Sequence, residues 1–366
     1  MTSPGFDDLA GALEAAFSTG PFGPWPRDVF GDWAIRCFTV QFEENSTYRA
    51  LCESRGVAPD TLARWEDAPP VPATAFKHLD LITGVPTDAE VVFRTSGTTE
   101  GGSRRGRHLV RRLGLYRASA LPNFAAHLLP ENERLALVSL IPSPHDAPDS
   151  SLSVMMGMVA EELSSGVRWV VDPSGELDVD AFRDAAAAGE PLLVAATAFA
   201  FVHLLRALGG SESIHLAPGS RIMETGGFKG RVEAVSRDSL YHRLGERLGV
   251  PRERIVNEYG MTELLSQLYE PVLREAASTE RRHVPPPWLR VRALDPVTLE
   301  PVDSGREGLL AFFDLANLGS VCHVLTEDVG SVTEDGVRLR GRVAGAEPRG
   351  CSRAMDEIMA AATRAG

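Results

Sequence analysis

Phe93-Arg-Thr-Ser-Gly-Thr-Thr99 sets four hydroxyls, those of Thr95, Ser96, Thr98 and Thr99, around Gly97. Hydroxyls and loop amides are what a triphosphate needs, with glycine letting the backbone approach closely. A polar turn is the plainer reading, and the Walker pattern G-x-x-x-x-G-K-[ST] is absent. In Glu224-Thr-Gly-Gly-Phe-Lys-Gly230, Gly226 and Gly227 suit a flat ring lying against the backbone. Phe228 fits packing better than base binding, while Lys229 can stabilise developing negative charge or stand as a surface lysine. Asn257-Glu-Tyr-Gly-Met-Thr-Glu263 offers the aromatic face of Tyr259, the turn at Gly260, the hydroxyl of Thr262 and the carboxylate of Glu263. That carboxylate is a hard oxygen ligand for Mg²⁺, which takes one or two carboxylates plus phosphate oxygens, or else a charge at a helix N-terminus. Finally, Asp328 in Leu325-Thr-Glu-Asp-Val-Gly330 can accept from two ribose hydroxyls, or simply close a turn.

These groups need strands to present them, and the hydrophobic pattern supplies strands. Val91–Arg94 reads as a buried strand running into the Gly/Thr loop. Beyond it the pattern alternates: strands at 135–141, 168–171, 191–195, 222–224 and 255–257, helices at 152–163, 179–188, 199–208 and 232–248. On the helix at 152–163, Met155, Met156 and Met158, beside Val159, read as core. Repeated β-α-β order implies a largely parallel sheet covered on both faces. The first ninety residues read as helices, Asp7–Phe17 among them, broken at Gly20–Pro26, Pro69-Pro70 and Pro72. After about Pro285 short strands follow one another at 289–293, 309–313, 321–325 and 337–339, and Ser352–Ala362 reads as a short helix.

Composition narrows the classes. With 366 residues the chain can bury a large core as one domain or two. A hydrophobic fraction of 43% and a charged fraction of 24% are those of a soluble globular protein. The net charge of −13 argues against an extended nucleic-acid surface. Arg104-Arg105-Gly106-Arg107-His108 reads either as an anion-binding flank or as a solvated loop. Lysine occurs only at Lys77 and Lys229, so 35 of the 37 basic residues are arginines, a bias of base composition rather than of function. Cys37, Cys52, Cys322 and Cys351 form no C-x-x-C pair, so no metal or disulfide framework is expected and a reducing, cytoplasmic setting is. No signal peptide is visible at the N-terminus, and the apolar stretch Leu192–Leu205 is too short to span a bilayer.

The four motifs in this order resemble the large domain of the adenylate-forming superfamily, over roughly Val91 to Gly350. Asn257–Glu263, Thr225–Lys229 and Gly345-Ala-Glu-Pro-Arg-Gly-Cys-Ser352 are most similar to its acyl-protein synthetase branch, which includes the partner of a bacterial bioluminescence fatty acid reductase and aryl-acid-activating relatives. The resemblance implies an α/β fold of parallel-rich sheets covered by helices. It implies one large domain over 1–350, a β-rich subdomain at about 285–345 and a short tail at 351–366. It also implies ATP and Mg²⁺, and conversion of a carboxylic acid to an acyl-AMP. Thr95, Ser96, Gly97, Thr98 and Thr99 then form the phosphate loop, and Gly226 and Gly227 the adenine-facing turn. Tyr259 stacks on adenine beside Gly260, Thr262 contacts the α-phosphate, Glu263 holds Mg²⁺, and Asp328 and Arg342 take the ribose and approach the hinge. By analogy the acid pocket lies among Ser143, His145, Ser150, Ser151, Phe199 and Phe201.

The chain also departs from the superfamily pattern. Glu100 stands where glycine is usual, and arginines stand where the loop lysine is common. Sixteen residues follow Gly350, so the usual C-terminal lid domain and its lysine are not expected. Lys229 is the candidate replacement. Cys351 matches the acyl-accepting cysteine of the branch, with Arg349 and Arg353 able to favour its thiolate, or is inherited structure. The expected activity is acid activation followed by transfer to Cys351, an outside thiol or amine, or a partner reductase. The rivals are an aryl-acid activator of secondary metabolism without self-acylation, and an inactive nucleotide- or acyl-binding partner. Neither nucleic acid nor membrane is an expected partner.

Overall fold

A computed structural model describes residues 5–23, 25, 27–95, 105–172, 174–209, 213–226, 236–275, 281–342 and 348–365. In chain order its elements are α1 (Phe6–Phe17), α2 (Arg27–Glu44), α3 (Ser46–Ser54), β1 (Val71–Pro72), β2 (Val91–Arg94), β3 (Arg107–Val110) and α4 (Leu113–Leu128). There follow β4 (Ala136–Ser139), α5 (Ser151–Glu162), β5 (Gly166–Trp169), α6 (Val179–Ala187), β6 (Leu192–Thr197), α7 (Ala198–Ala207), β7 (Arg221–Thr225), α8 (Arg237–Leu248), β8 (Ile255–Tyr259) and β9 (Leu268–Tyr269). The last are β10 (Leu289–Leu294), β11 (Glu307–Asp314), β12 (His323–Thr333), β13 (Gly336–Arg342) and α9 (Arg349–Ala365). They form two compact units: unit 1 is Met1–Pro122, Met261–Gln267 and Val284–Gly366, and unit 2 is Asn123–Gly260 with Leu268–His283.

Unit 2 holds a six-stranded sheet ordered β5-β4-β6-β7-β8-β9, parallel except where β9 runs against β8. Its strands are continuous apolar runs such as Leu192-Leu-Val-Ala-Ala196, as expected when both faces of a parallel sheet are covered. Each helix on it starts at a side-chain cap. Ser150, Asp178, Thr197 and Ser236 accept from the backbone N–H three residues on. Hence α8 begins at Arg237, not at Val232 as the periodicity suggests; residues 232–235 lie outside the described part. One sheet face packs Val138, Val194, Ile222 and Ile255 against Phe182, Phe201, Leu240 and Leu244. Each such side chain contributes about 1.5–3 kcal/mol on leaving water.

Unit 1 carries helices α1, α2 and α3, the β2–β3 hairpin, and a sheet ordered β1-β12-β11-β10 with β13 on β12. The first ninety residues are therefore not helix and turn alone. Val71 and Pro72 pair in parallel with Val324 and Leu325, and the prolines are tolerated because β1 is an edge strand. Strand β12 is longer than the apolar run 321–325, and Asp328 lies inside it rather than in a closing turn. Gly330 is required there, because a Cβ would come 2.6 Å from the Arg338 carbonyl oxygen. Helix α9 is amphipathic, burying Cys351, Ala354, Ile358 and Ala361 at helical spacing. Cys351 and Ala354 pack with Leu294, Leu309, Ala311 and Leu325, closing that face of the sheet. All four cysteines are buried thiols, and no described helix is long and apolar enough to cross a membrane.

Candidate active site

In unit 2, β4 comes first in the chain, β5 pairs on one side of it and β6 on the other. That reversal is the switch point of an open α/β sheet, and ligands bind at the carboxyl ends of the strands there. The loop Ile141–Pro148 leaves β4 at this edge, and α7 leaves β6. Ser143 is buried, its hydroxyl donating to Asp146 Oδ2 at 2.7 Å, and the bond holds the Asp146 carboxyl below the usual carboxylate range. His145 is 95% exposed and meets Asp146 Oδ1 at 3.3 Å. Ser151 opens α5, next to its cap Ser150. Phe199 is exposed, its ring 4.5 Å from that of His203. Phe201 is not brought to this edge: it is fully buried in the helix–sheet core.

Two strands further on, β7 ends at Thr225 and Gly226, and β8 at Tyr259 and Gly260. Gly226 has φ +78°, a left-handed turn that favours glycine, with open space where a Cβ would stand. Tyr259 lies 6.4 Å from His283, ring to ring. On the sheet face below, three charged networks meet. Tyr241 donates to Glu224 Oε2 at 2.9 Å, and Arg237 reaches both Asn257 Oδ1 and Glu270 at 3.2 Å. Arg281 also pairs with Glu270, and His283 Nε2 donates to Asn257 Oδ1 at 2.7 Å. Burial raises Glu224 to about 7 and lowers His283 to about 3, so the imidazole is neutral with its proton on Nε2. On the opposite face Thr225 donates its hydroxyl to Glu258. Phe228 and Lys229 with Gly227 lie outside the described residues.

In unit 1 the hairpin is closed by Thr95: its N–H donates to Gly106 O at 3.0 Å and its Oγ1 accepts from Gly106 N at 2.8 Å. Ser96, Gly97, Thr98, Thr99 and Glu100, with Arg104, are outside the described part. Two of the arginines read as a possible anion flank have partners within the chain. Arg105 donates to the Thr95 carbonyl and Arg107 pairs with Asp80. His108 is buried, and its Nδ1 donates to the carbonyl of Thr262 at 2.7 Å. Burial lowers it to about 4, so it stays neutral.

That contact begins a set of anchors on Met261–Gln267, a segment in no regular element. Asn317 Nδ2 donates to the Glu263 carbonyl at 2.9 Å. Asp314 Oδ2 accepts from Leu265 N and Ser266 N, both at 2.9 Å, and its Oδ1 from Ser266 Oγ at 2.6 Å and Ala316 N at 3.0 Å. Trp288 donates to Ser119 and Ser119 to Ser266, each at 2.8 Å, which completes the relay. The Glu263 side chain is buried and Thr262 half-buried. Nothing in the sequence marks His108, Asn317 or Asp314 as anchors. Asp328 and Arg342 face each other across β12 and β13, with Arg342 Nε donating to Asp328 Oδ1 at 3.0 Å.

The family model described as acyl-protein synthetase, LuxE, matches residues 27–360. The chain belongs to the acyl-protein synthetase family. Among relatives, the long-chain-fatty-acid–luciferin-component ligase of Vibrio harveyi is 25% identical over 351 residues, covering 90% of this chain and 88% of that protein. The ligase of the same description from Aliivibrio fischeri is 26% identical over 315 residues, 81% and 77% of the two chains. A 2-hydroxyisobutyryl-CoA ligase, solved open with 2-HIB-AMP and CoA, superposes with a TM-score of 0.64 at 16% identity, over 87% of this chain and 70% of that one. The same enzyme in a postadenylation state gives 0.65 at 15% identity, over 86% and 67%. The fold is thus that of the adenylate-forming ligases, and this acyl-protein synthetase is a ligase. Its Cys351 is 2% exposed, with Sγ 3.9 Å from the Thr326 carbonyl oxygen. Arg353 donates to the Thr298 carbonyl at 3.2 Å and lies 3.9 Å from Glu357.

Proposed function

We propose that this acyl-protein synthetase uses ATP to activate a carboxylic acid as an acyl adenylate and passes the acyl group to an acceptor. A carboxylate oxygen attacks the α-phosphorus, a new P–O bond forms, the bond to pyrophosphate breaks, and pyrophosphate leaves. The observation carrying this reading is the position of Thr225, Gly226, Tyr259 and Gly260 at the carboxyl ends of adjacent parallel strands, in a member of this family. Thr95 with Ser96, Gly97, Thr98 and Thr99 holds phosphates. Gly226, Gly227, Tyr259 and Gly260 hold the base, and Asp328 steadied by Arg342 holds the ribose. Thr262 meets the α-phosphate. Lys229 stabilises charge on the reacting carboxylate and phosphate. Such chemistry is mostly positioning and charge stabilisation.

Glu263 suits Mg²⁺. Among the described residues no three acidic, histidine or cysteine side chains form a cage, and a nucleotide-bound Mg²⁺ uses one or two carboxylates with phosphate oxygens. When bound, the ion supplies charge neutralisation at the phosphates. Ser143, His145, Ser151 and Phe199 supply the acid pocket; Phe201, buried in the helix–sheet core, does not reach that edge. The relatives' description as fatty-acid ligases supports a fatty acid; an aromatic acid is the other class. For the acceptor, the burial of Cys351 favours a group outside the chain, a thiol, an amine or a partner protein such as a reductase. Acylation of Cys351 itself requires α9 to lift from the sheet.

The test is a panel of fatty and aromatic acids with ATP and Mg²⁺, quenched with hydroxylamine and read for AMP and acyl-hydroxamate. AMP release with one acid class is the expected result. Lys229→Ala should lose it. Intact mass spectrometry of wild type and Cys351→Ser after turnover locates the acyl group.

A further inference from the structure

Glu258 differs from the other buried carboxylates of its sheet. Glu270 meets Arg237 and Arg281. Glu224 is bonded by Tyr241 and Asn257 and feels the charge of Arg237. Glu258, one residue before Tyr259, is 3% exposed, and its one side-chain partner among the described residues is the Thr225 hydroxyl. No cation faces it among those residues. Side chains alternate along a strand, so Thr225 and Glu258 lie on the face opposite Glu224 and Asn257. Their register, Thr197 to Thr225 to Glu258, aligns them across β6, β7 and β8, about 5 Å from strand to strand. They stand at the carboxyl edge where an open sheet binds its ligand.

Among the described residues Glu258 has one donor, so most of its accepting capacity is unmet there. Its two oxygens accept about four hydrogen bonds, and Thr225 provides one. Burial accordingly pushes its pKa up to about 7. Glu270 and Glu224 of this sheet have arginines beside them; among the described residues Glu258 has none, and it stands at the carboxyl edge of the sheet.

We propose that Glu258, held by Thr225, is a specificity determinant of the acid site, and that the preferred acid carries a hydrogen-bond donor, an amine or a hydroxyl, on its body. This rests on the acid-activating reading above. An unsubstituted chain or ring leaves the carboxyl unpaired and is rejected, because a site built to bond a donor discriminates strongly against an analogue lacking it.

The probes are benzoic acid with its 3- and 4-amino and 3- and 4-hydroxy derivatives, and octanoic acid with its 8-amino and 8-hydroxy derivatives. Initial rates of AMP release give kcat/KM for wild type, Glu258→Gln and Glu258→Leu. Wild type should prefer a donor-bearing acid over its parent by about 100-fold or more. Glu258→Leu should abolish that preference and leave the KM for ATP unchanged. Glu258→Gln separates the sources: an amine-bearing acid loses about 10- to 100-fold, a hydroxyl-bearing one less. Equal losses for donor-bearing and parent acids overturn the proposal. So does a raised KM for ATP with acid preference intact, which would make the adenine amine the donor. Thermal melting with each acid is read in parallel. If wild type releases no AMP but donor-bearing acids raise its melting temperature, and not that of Glu258→Leu, the inference stands and the activation reading falls. Absence of any such melting shift overturns it.

Discussion

The motif Asn257–Glu263 is built in two ways within seven residues. Up to Tyr259 it is a strand, and the β7–β8 and β8–β9 ladders fix where each side chain points. From Met261 it is irregular chain held by buried groups of unit 1: His108 on Thr262, Asn317 on Glu263, Asp314 on Leu265 and Ser266. On the strand a side chain can be removed without moving its neighbours. On the irregular segment the backbone itself depends on distant side chains, so a change far away displaces Thr262 and Glu263, the residues proposed to meet phosphate and Mg²⁺. Local geometry places the first half; tertiary polar bonds place the second.

Asp314→Ala should be the most damaging test of that contrast. It leaves three N–H groups and a hydroxyl without an acceptor in a buried site, each lost bond costing about 1–3 kcal/mol. We expect a stability loss of about 3 kcal/mol or more by urea unfolding, with Asp314→Asn recovering part. His108→Ala should lower kcat for AMP release about 10- to 100-fold, a displacement near 1 Å being sufficient, while His108→Gln recovers activity through its amide donor. Equal losses of folding and activity in both variants would place His108 in the core alone. Tyr259→Leu, on the strand side, should raise the KM for ATP several-fold and hardly move the melting temperature. If it melts like the Asp314 variant, the contrast is wrong.

The smallest effect is in pH. Burial lowers His108 to about 4, below the ordinary 6.5 of the unfolded chain. The unfolded chain therefore binds the extra proton first, and stability is lost as pH falls from 6.5 towards 4. Burial instead raises Glu258 to about 7 from 4.5, so its contribution grows as pH falls through 7 towards 4.5. His108→Gln should thus flatten the acid loss of the melting temperature, and Glu258→Gln should steepen it. Melts from pH 8 to pH 4.5 read both.

What was legible follows the same divide. β7 and β8 are readable because apolar runs end in Thr-Gly and Tyr-Gly, and a left-handed turn at Gly226 admits few other residues. Asp328 and Arg342 were named separately by the resemblance, and their pairing needed only a hairpin. The exposed edge strand β5 was placed two residues late, since its outward residues carry no apolar rhythm. His108 looked like part of a basic run, and its partner is 154 residues away. Asn317 sits in an apolar stretch, 54 residues beyond Glu263. Polar groups chosen for a distant backbone have no period to betray them, and burial of Glu258 is equally silent in a string of letters.

The sheet of unit 1 pairs residue Val71 with Val324, and its open face is covered by α9 from Arg349 onward. Unit 2 is translated almost entirely between these partners. During synthesis unit 2 therefore has all its strands available while the early part of unit 1 still lacks most of its sheet. Pairing over such sequence separation is slow. Until α9 emerges, Leu294, Leu309 and Leu325 remain open to chaperones or to other nascent chains.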